Sequence, residues 1–255
     1  MLMRVLFRLS TIVASAFVLL LLTGCADTFT FANRSNAEGM ALYRNKAYGD
    51  AAGAFRNAIR QDPRHYESHL YLALCYDQLG QHQQAFMQYR TTLDVMANTI
   101  GGRNDSEFRQ SALDAYANSV ARYDQGDVEL NKIEARAKNA KNGEDPFLLA
   151  KIYRIRGDAD SALRWYRQAA NWDSKDFLVR KEAGLYLAQL NQPKEAEYYL
   201  RMAYMINAND PQVKGELIKM GVLPQPVPAA EPPQEASAPA KNAPAMQKTV
   251  VAPRD

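Results

Sequence analysis

A 34-residue spacing constrains this chain more than any other feature. Ala162-Leu163-Arg164-Trp165-Tyr166-Arg167-Gln168-Ala169 returns 34 residues later as Ala196-Glu197-Tyr198-Tyr199-Leu200-Arg201-Met202-Ala203. Each copy has a small residue first, a large apolar residue four positions on, and a second small residue three further. The same frame runs earlier, from Ala51, Phe55, Ala58 and Pro63 to Ala85 and Tyr89. Residues spaced this way share one helix face. A unit this short cannot bury that face alone, so copies must stack on one another. The spacing predicts an all-α chain, an α-solenoid of stacked antiparallel helix pairs.

The first two pairs read over residues 36–100. Asn36 to Asn45 suits a helix with Gly39 at the crossing point, and Ala47 to Gln61 suits its partner. Asp62-Pro63 stops that helix, because proline lacks a donor and restricts the residue before it. A restart at Tyr66 carries Leu72, Ala73, Tyr76 and Leu79, with Gly80 as its stop. Ala85, Phe86, Tyr89, Leu93 and Met96 form the next stripe, with Thr92 in place of Ala58 and no proline at Ala97. That helix is expected to run on toward Ile100 and to break at Gly101-Gly102.

Residues 101–142 lose the frame. Ser119 stands where the spacing asks for a small residue, but no aromatic in the right context follows. Asp105 to Tyr123 reads as one long helix capped by Asp105, and Val128 to Ala140 as a second with Val128, Leu130, Ile133 and Ala137 inward. The two form a helical hairpin standing in for a repeat. From 143 to 222 the frame returns. Asp145-Pro146 reads as a helix start, Asp176 as a cap, and Gln212 to Met220 as a closing helix before Gly221. The closing helix shows a polar outer face of Lys214, Glu216 and Lys219, as a terminal unit requires. From 223 the composition changes: eight of the twelve prolines lie between Pro224 and the end, mixed with alanine. Such a segment has too little large apolar surface to offset ordering.

The other end of the chain carries a leader. Arg4 and Arg8 precede an apolar stretch, Leu9 to Leu22, too short for a comfortable membrane span. It ends in Leu22-Thr23-Gly24-Cys25, which resembles the bacterial lipobox. The resemblance implies cleavage after residue 24, lipidation of Cys25, and a tether over 25–35. Ala26 rather than aspartate after the cysteine implies the outer membrane, facing the periplasm. More than one acyl chain gives stable attachment. With Cys25 so used, Cys75 has no partner and reads as a small buried apolar residue. The chain carries 31 basic and 28 acidic side chains, and two of the basic ones lie in the leader. That balance leaves no electrostatic footprint for nucleic acid.

The units at roughly Ala32 to Asn98 and Gly143 to Asp210 resemble tetratricopeptide repeats, whose period is 34 residues. The resemblance implies a concave groove that binds a protein or peptide segment. On this sequence the groove positions are Met40, Tyr43 and Arg44; Leu70, Leu74 and Asp77; Phe147, Lys151 and Arg154; and Lys181, Leu185 and Gln189. The lysine-asparagine clamp that some members use for carboxyl-terminal peptides is unmatched. A lipobox before such repeats is similar in layout to lipoproteins of type IV and Tad pilus assembly, and to adaptors that recruit cell-wall hydrolases.

Chemistry has little to rest on. His65 and His69 lie four apart, which on one helix would place them on a common face. The order around them is not that of zinc proteases, and no third ligand follows. No nucleophile elbow, phosphate-binding glycine loop or Cys-x-x-Cys occurs. Neither a cofactor nor a catalytic residue is expected. Trp165 and Trp172 are expected to pack.

Overall fold

The computed structural model describes residues 31–139 and 142–223. Cys25, the leader before it, the first part of the tether and the proline-rich segment from Pro224 lie outside the described residues. All regular structure among the described residues is helical. Helix α1 covers 31–44. It is followed by α2 (Tyr48–Gln61), α3 (Tyr66–Gln78), α4 (His82–Asn98), α5 (Ile100–Asn104), α6 (Ser106–Arg122) and α7 (Gly126–Asn139). Then come α8 (Glu144–Ile155), α9 (Ala159–Trp172), α10 (Phe177–Gln189), α11 (Pro193–Ile206) and α12 (Pro211–Lys219). None of the described helices is long and apolar enough to cross a membrane.

The spacing read from the sequence is the packing frame. Ala51, Phe55 and Ala58 of α2 are fully buried, as are Ala162 and Ala169 of α9 and Ala196, Leu200 and Ala203 of α11. The small residues of the first helices are small for a steric reason. A Cβ on Gly39 would sit 2.6 Å from the Phe55 ring, and one on Gly184 2.6 Å from Leu200 Cγ. Thr92, where α2 has Ala58, is buried without penalty because its hydroxyl donates back to Gln88 O at 2.9 Å.

Short connections make successive helices antiparallel, and each pair rests on the next. Helix α2 packs on α3, α4 on α6, α6 on α8, α9 on α10, and α11 on α12. The main core runs from Leu70 in α3 to Tyr199 in α11, with Leu113, Tyr116, Phe147, Leu149 and Tyr166 at its centre. Smaller clusters close the ends, around Phe55 and Leu72 at one and Leu200, Val213 and Leu217 at the other.

Several local expectations need correction. Helix α1 is already helical at residue 31, ahead of the expected start at Asn36. Gly101-Gly102 does not break a helix; both lie within α5. The break is Thr99, in extended conformation, whose hydroxyl accepts from Gly102 N at 3.2 Å. Gly102 is needed there for space, since a Cβ would lie 2.5 Å from Met96 Cα. The long helix read from Asp105 to Tyr123 is α6, the first helix of a third pair, and it holds Ser119 as read. Helix α7 starts at Gly126 rather than Val128, and Val128 is 61% exposed. Asp145 does not cap α8: Gly143 holds the N-cap, and Asp145 is buried one step inside the helix. Trp165 packs in the core, whereas Trp172, at the end of α9, is 47% exposed. The caps at Asp105 and Asp176 are as read, each accepting from backbone amides of the first turn; Asp210, not read as a cap, caps α12 in the same way.

Candidate protein-interaction surface

The first helices of successive pairs, α1, α3, α6, α8, α10 and α12, carry the positions expected to line a groove. The structure divides those positions into three zones.

At the amino-terminal end the surface is aromatic. Tyr43 meets Tyr48 and Tyr71 edge-on, at ring-centroid distances of 5.5 and 5.7 Å, and Tyr71 stacks on Phe55 at 5.6 Å. Met40 and Tyr43 are half-buried and Arg44 is exposed. Leu74 is half-buried against the core, and Leu70 is buried within it, so Leu70 is not an open contact. Asp77 is engaged internally. It accepts from Tyr89 OH at 2.7 Å and from Ser119 OH at 2.8 Å, and it pairs with His82 Nδ1 at 3.2 Å. His82 in turn stacks on Tyr123 at 3.5 Å. This ties α3 and α4 to α6.

The middle zone is closed by charge. Phe147 and Lys151, expected on an open groove, are fully buried. Lys151 Nζ contacts Asp114 Oδ1 at 2.8 Å and donates to Glu182, and it lies 5.0 Å from the Phe147 ring centroid. Glu182 also takes Arg154 Nη1 and Tyr166 OH, each at 3.2 Å. Burial, with Glu182 beside it, pushes the Tyr166 hydroxyl well above its ordinary value, so it stays a donor. One cluster therefore spans α6, α8, α9 and α10, with only Asp114 and Arg154 reaching solvent. Near the start of α8, Arg109 binds Glu144 and Asp176, joining α6, α8 and α10. Burial opposes the charge on Arg109, but the two carboxylates outweigh it and hold the guanidinium further above its usual value. Neither Asp114 nor Glu182 was legible in the sequence as a groove residue. A lysine at an inward position was the one signal that buried acids must stand near it.

At the carboxyl-terminal end the surface opens again. Lys181, expected on the groove, is buried and paired with Asp210 at 2.7 Å. Leu185 and Gln189 do line an open cleft of about 520 Å³ between α10 and α12. Burial would raise the Asp210 carboxyl, but Lys181 and the α12 amides outweigh it and depress the value. A depressed carboxyl contributes stability above its unfolded pKa and loses it as pH falls through the folded value. Helix α12 is therefore expected to lose hydrogen-exchange protection below about pH 4, earlier than α8. Equal loss in the two helices would contradict this.

The two histidines serve the fold. His65 is the N-cap of α3, its ring accepting from Ser68 N at 3.3 Å. His69 is buried between Gln88, at 2.8 Å, and the Pro63 carbonyl, at 3.1 Å. Burial pushes the Cys75 thiol up to about 11.

Among solved structures the chain is similar to "MamA 41-end from Desulfovibrio magneticus RS-1", at 14% identity and a TM-score of 0.38, covering 71% of this chain and 97% of that one. It is also similar to "YrrB: a TPR protein with an unusual peptide-binding site", at 15% identity and 0.38, over 74% and 89%. A thermophilic TPR protein of Thermus thermophilus matches at 16% and 0.39, over 75% and 100%. No curated protein matches the chain. The family model described as tetratricopeptide repeat matches residues 36–93, most of α1 to α4.

Proposed function

We propose that this chain is a lipid-anchored periplasmic scaffold. It binds a protein or peptide segment on the face made by the first helices of its pairs, and it assembles or localises an envelope complex. Pilus or secretion machinery is the leading candidate. The observation that carries the reading is the half-exposed aromatic surface of Tyr43 and Tyr71 on a family-matched repeat segment. Tyrosine supplies large, amphipathic contact area, and residues of this kind dominate interface energetics. The ion-paired middle zone supports the reading by stiffening the stack, so that little ordering is required on binding. Anchoring at Cys25 would add a local-concentration gain at the membrane.

Two tests address the two halves of this reading. Cys25→Ser is expected to move the chain from the membrane to the soluble periplasmic fraction; retention at the membrane would contradict the anchor. Tyr43→Ala with Leu74→Ala and Arg154→Ala is expected to weaken partner capture by at least about tenfold, with helix content preserved. Unchanged capture would remove the face. Recovery of hydrolases in place of pilus or secretin components would favour an adaptor for peptidoglycan enzymes.

A further inference from the structure

The first helix pair differs in charge from the rest of the chain. Residues 31–64 carry six basic side chains, Arg34, Arg44, Lys46, Arg56, Arg60 and Arg64, against three acidic ones, Glu38, Asp50 and Asp62. Beyond residue 64 the two signs nearly balance. All six cations are exposed, and among the described residues none is in an ion pair. Further along the stack carboxylates hold the cations, as at Arg90, Arg109, Lys151, Arg154 and Lys181.

Three of the six gather at one end of the pair. Ser35 Oγ donates to Gln61 Oε1 at 3.5 Å, and His65 Nε2 meets Asn33 Oδ1 at 3.1 Å. These contacts join the start of α1 to the end of α2 and the turn after it, so Arg34 stands at the same end as Arg60 and Arg64. Arg56 lies one turn before Arg60, on the side of α2 away from the buried Ala51, Phe55 and Ala58. The two acids at this end are half-buried and engaged within the fold. Asp62 Oδ1 accepts from Arg64 N at 2.9 Å, and Glu67 Oε2 accepts from Asn36 Nδ2 at 3.3 Å. Phe31, 54% exposed, begins α1 beside them.

The adjacent sequence brings this end close to the proposed anchor. Five residues separate Cys25 from Phe31, a reach of at most about 20 Å. We propose that the end formed by Phe31, Arg34, Arg56, Arg60 and Arg64 docks on the anionic phospholipid surface of the membrane that holds the chain. Each arginine held at such a surface adds about fivefold in affinity, and Phe31 enters the headgroup boundary. A few arginines bind weakly, and salt screens them beyond about 8 Å. Docking therefore orients an anchored chain and does not retain an unanchored one. Tyr43 lies about 18 Å further along α1, so the aromatic surface stays open to a partner. Attraction to an anionic surface stands on charge and exposure alone; the choice of the bilayer as that surface rests on the anchor at Cys25.

The test is flotation with vesicles at low salt, using the chain without its leader and with Cys25→Ser. Binding is expected to vesicles of equal parts phosphatidylcholine and phosphatidylglycerol, not to phosphatidylcholine alone, and it should fall as salt rises. Arg34→Gln with Arg60→Gln and Arg64→Gln is expected to weaken it at least about tenfold. The same three positions changed to lysine should retain it, since a charged surface reads charge and not the guanidinium fork. Arg122→Gln with Lys175→Gln and Lys194→Gln removes three exposed cations elsewhere and should leave it unchanged. No binding to the phosphatidylglycerol vesicles, equal binding to both kinds, or equal loss in the two glutamine triples would overturn the proposal. Tighter binding to single-stranded DNA than to the vesicles would also overturn it, placing a nucleic acid at this end. The chain tested carries no acyl group, so vesicle binding reports on the arginines, and release of Cys25→Ser from the membrane in cells reports separately on the anchor.

Discussion

Glu182→Leu is expected to lower the unfolding free energy by about 3–5 kcal/mol. Glu182 is buried in α10 and receives Lys151, Arg154 and Tyr166 from two other helices. Removing it leaves the fully buried Lys151 with one partner, the half-exposed Asp114. An uncompensated buried charge costs more than the pair itself contributes. The second arm of the test follows from that asymmetry. Lys151→Met added to Glu182→Leu is expected to recover much of the loss, because a packed apolar pair replaces a broken ionic one. Urea unfolding of the two single variants and the double variant measures the coupling. A cost below about 1 kcal/mol for Glu182→Leu would place the cluster with surface ion pairs instead.

Phe55→Ala is expected to cost about 3–5 kcal/mol, and to cost it locally. Phe55 is fully buried, stacks on Tyr71, and fills the space that Gly39 leaves open. Its loss opens a cavity at the seam of α1, α2 and α3. In a stack of units each rests on its neighbours, so damage need not spread evenly. Hydrogen exchange is expected to show protection lost over α1 to α3 and kept in α8 to α11. Uniform loss would mean that the stack unfolds as one cooperative block. The aromatic surface at Tyr43 would go with α1, so this variant should also lose partner capture while Glu182 stays packed.

How much of this was legible in the sequence depended on the range of each interaction. The small-large-small frame of α2, α4, α9 and α11 was readable because each helix pair solves the same local packing problem. The caps at Asp105 and Asp176 were readable because an N-cap acts within one turn. Asp145 misled, since the same residue type that caps a helix also serves as a buried acceptor; here it takes Arg90 at 2.6 Å and Arg136 at 3.3 Å. Gly102 misled for a similar reason, serving close approach to Met96 rather than ending a helix. The groove positions on α8 and α10 were in the right helices but in the wrong state. Spacing places Lys151 on the inward face; whether that face is open depends on Asp114 in α6, and α6 lies within the stretch that loses the frame.

If the face made by the first helices, and not the outer face, binds a protein partner, crosslinks must form on one face alone. In-cell photo-crosslinking of the anchored chain measures this, with the reactive side chain at Tyr71 in one strain and at Met205 in another. Met205 is 78% exposed on the outside of α11 and serves as the control. One discrete adduct is expected from Tyr71, abolished by Tyr43→Ala with Leu74→Ala and Arg154→Ala, and none from Met205. An adduct from Met205 with none from Tyr71, or one from Tyr71 indifferent to the triple substitution, would contradict binding on the inner face.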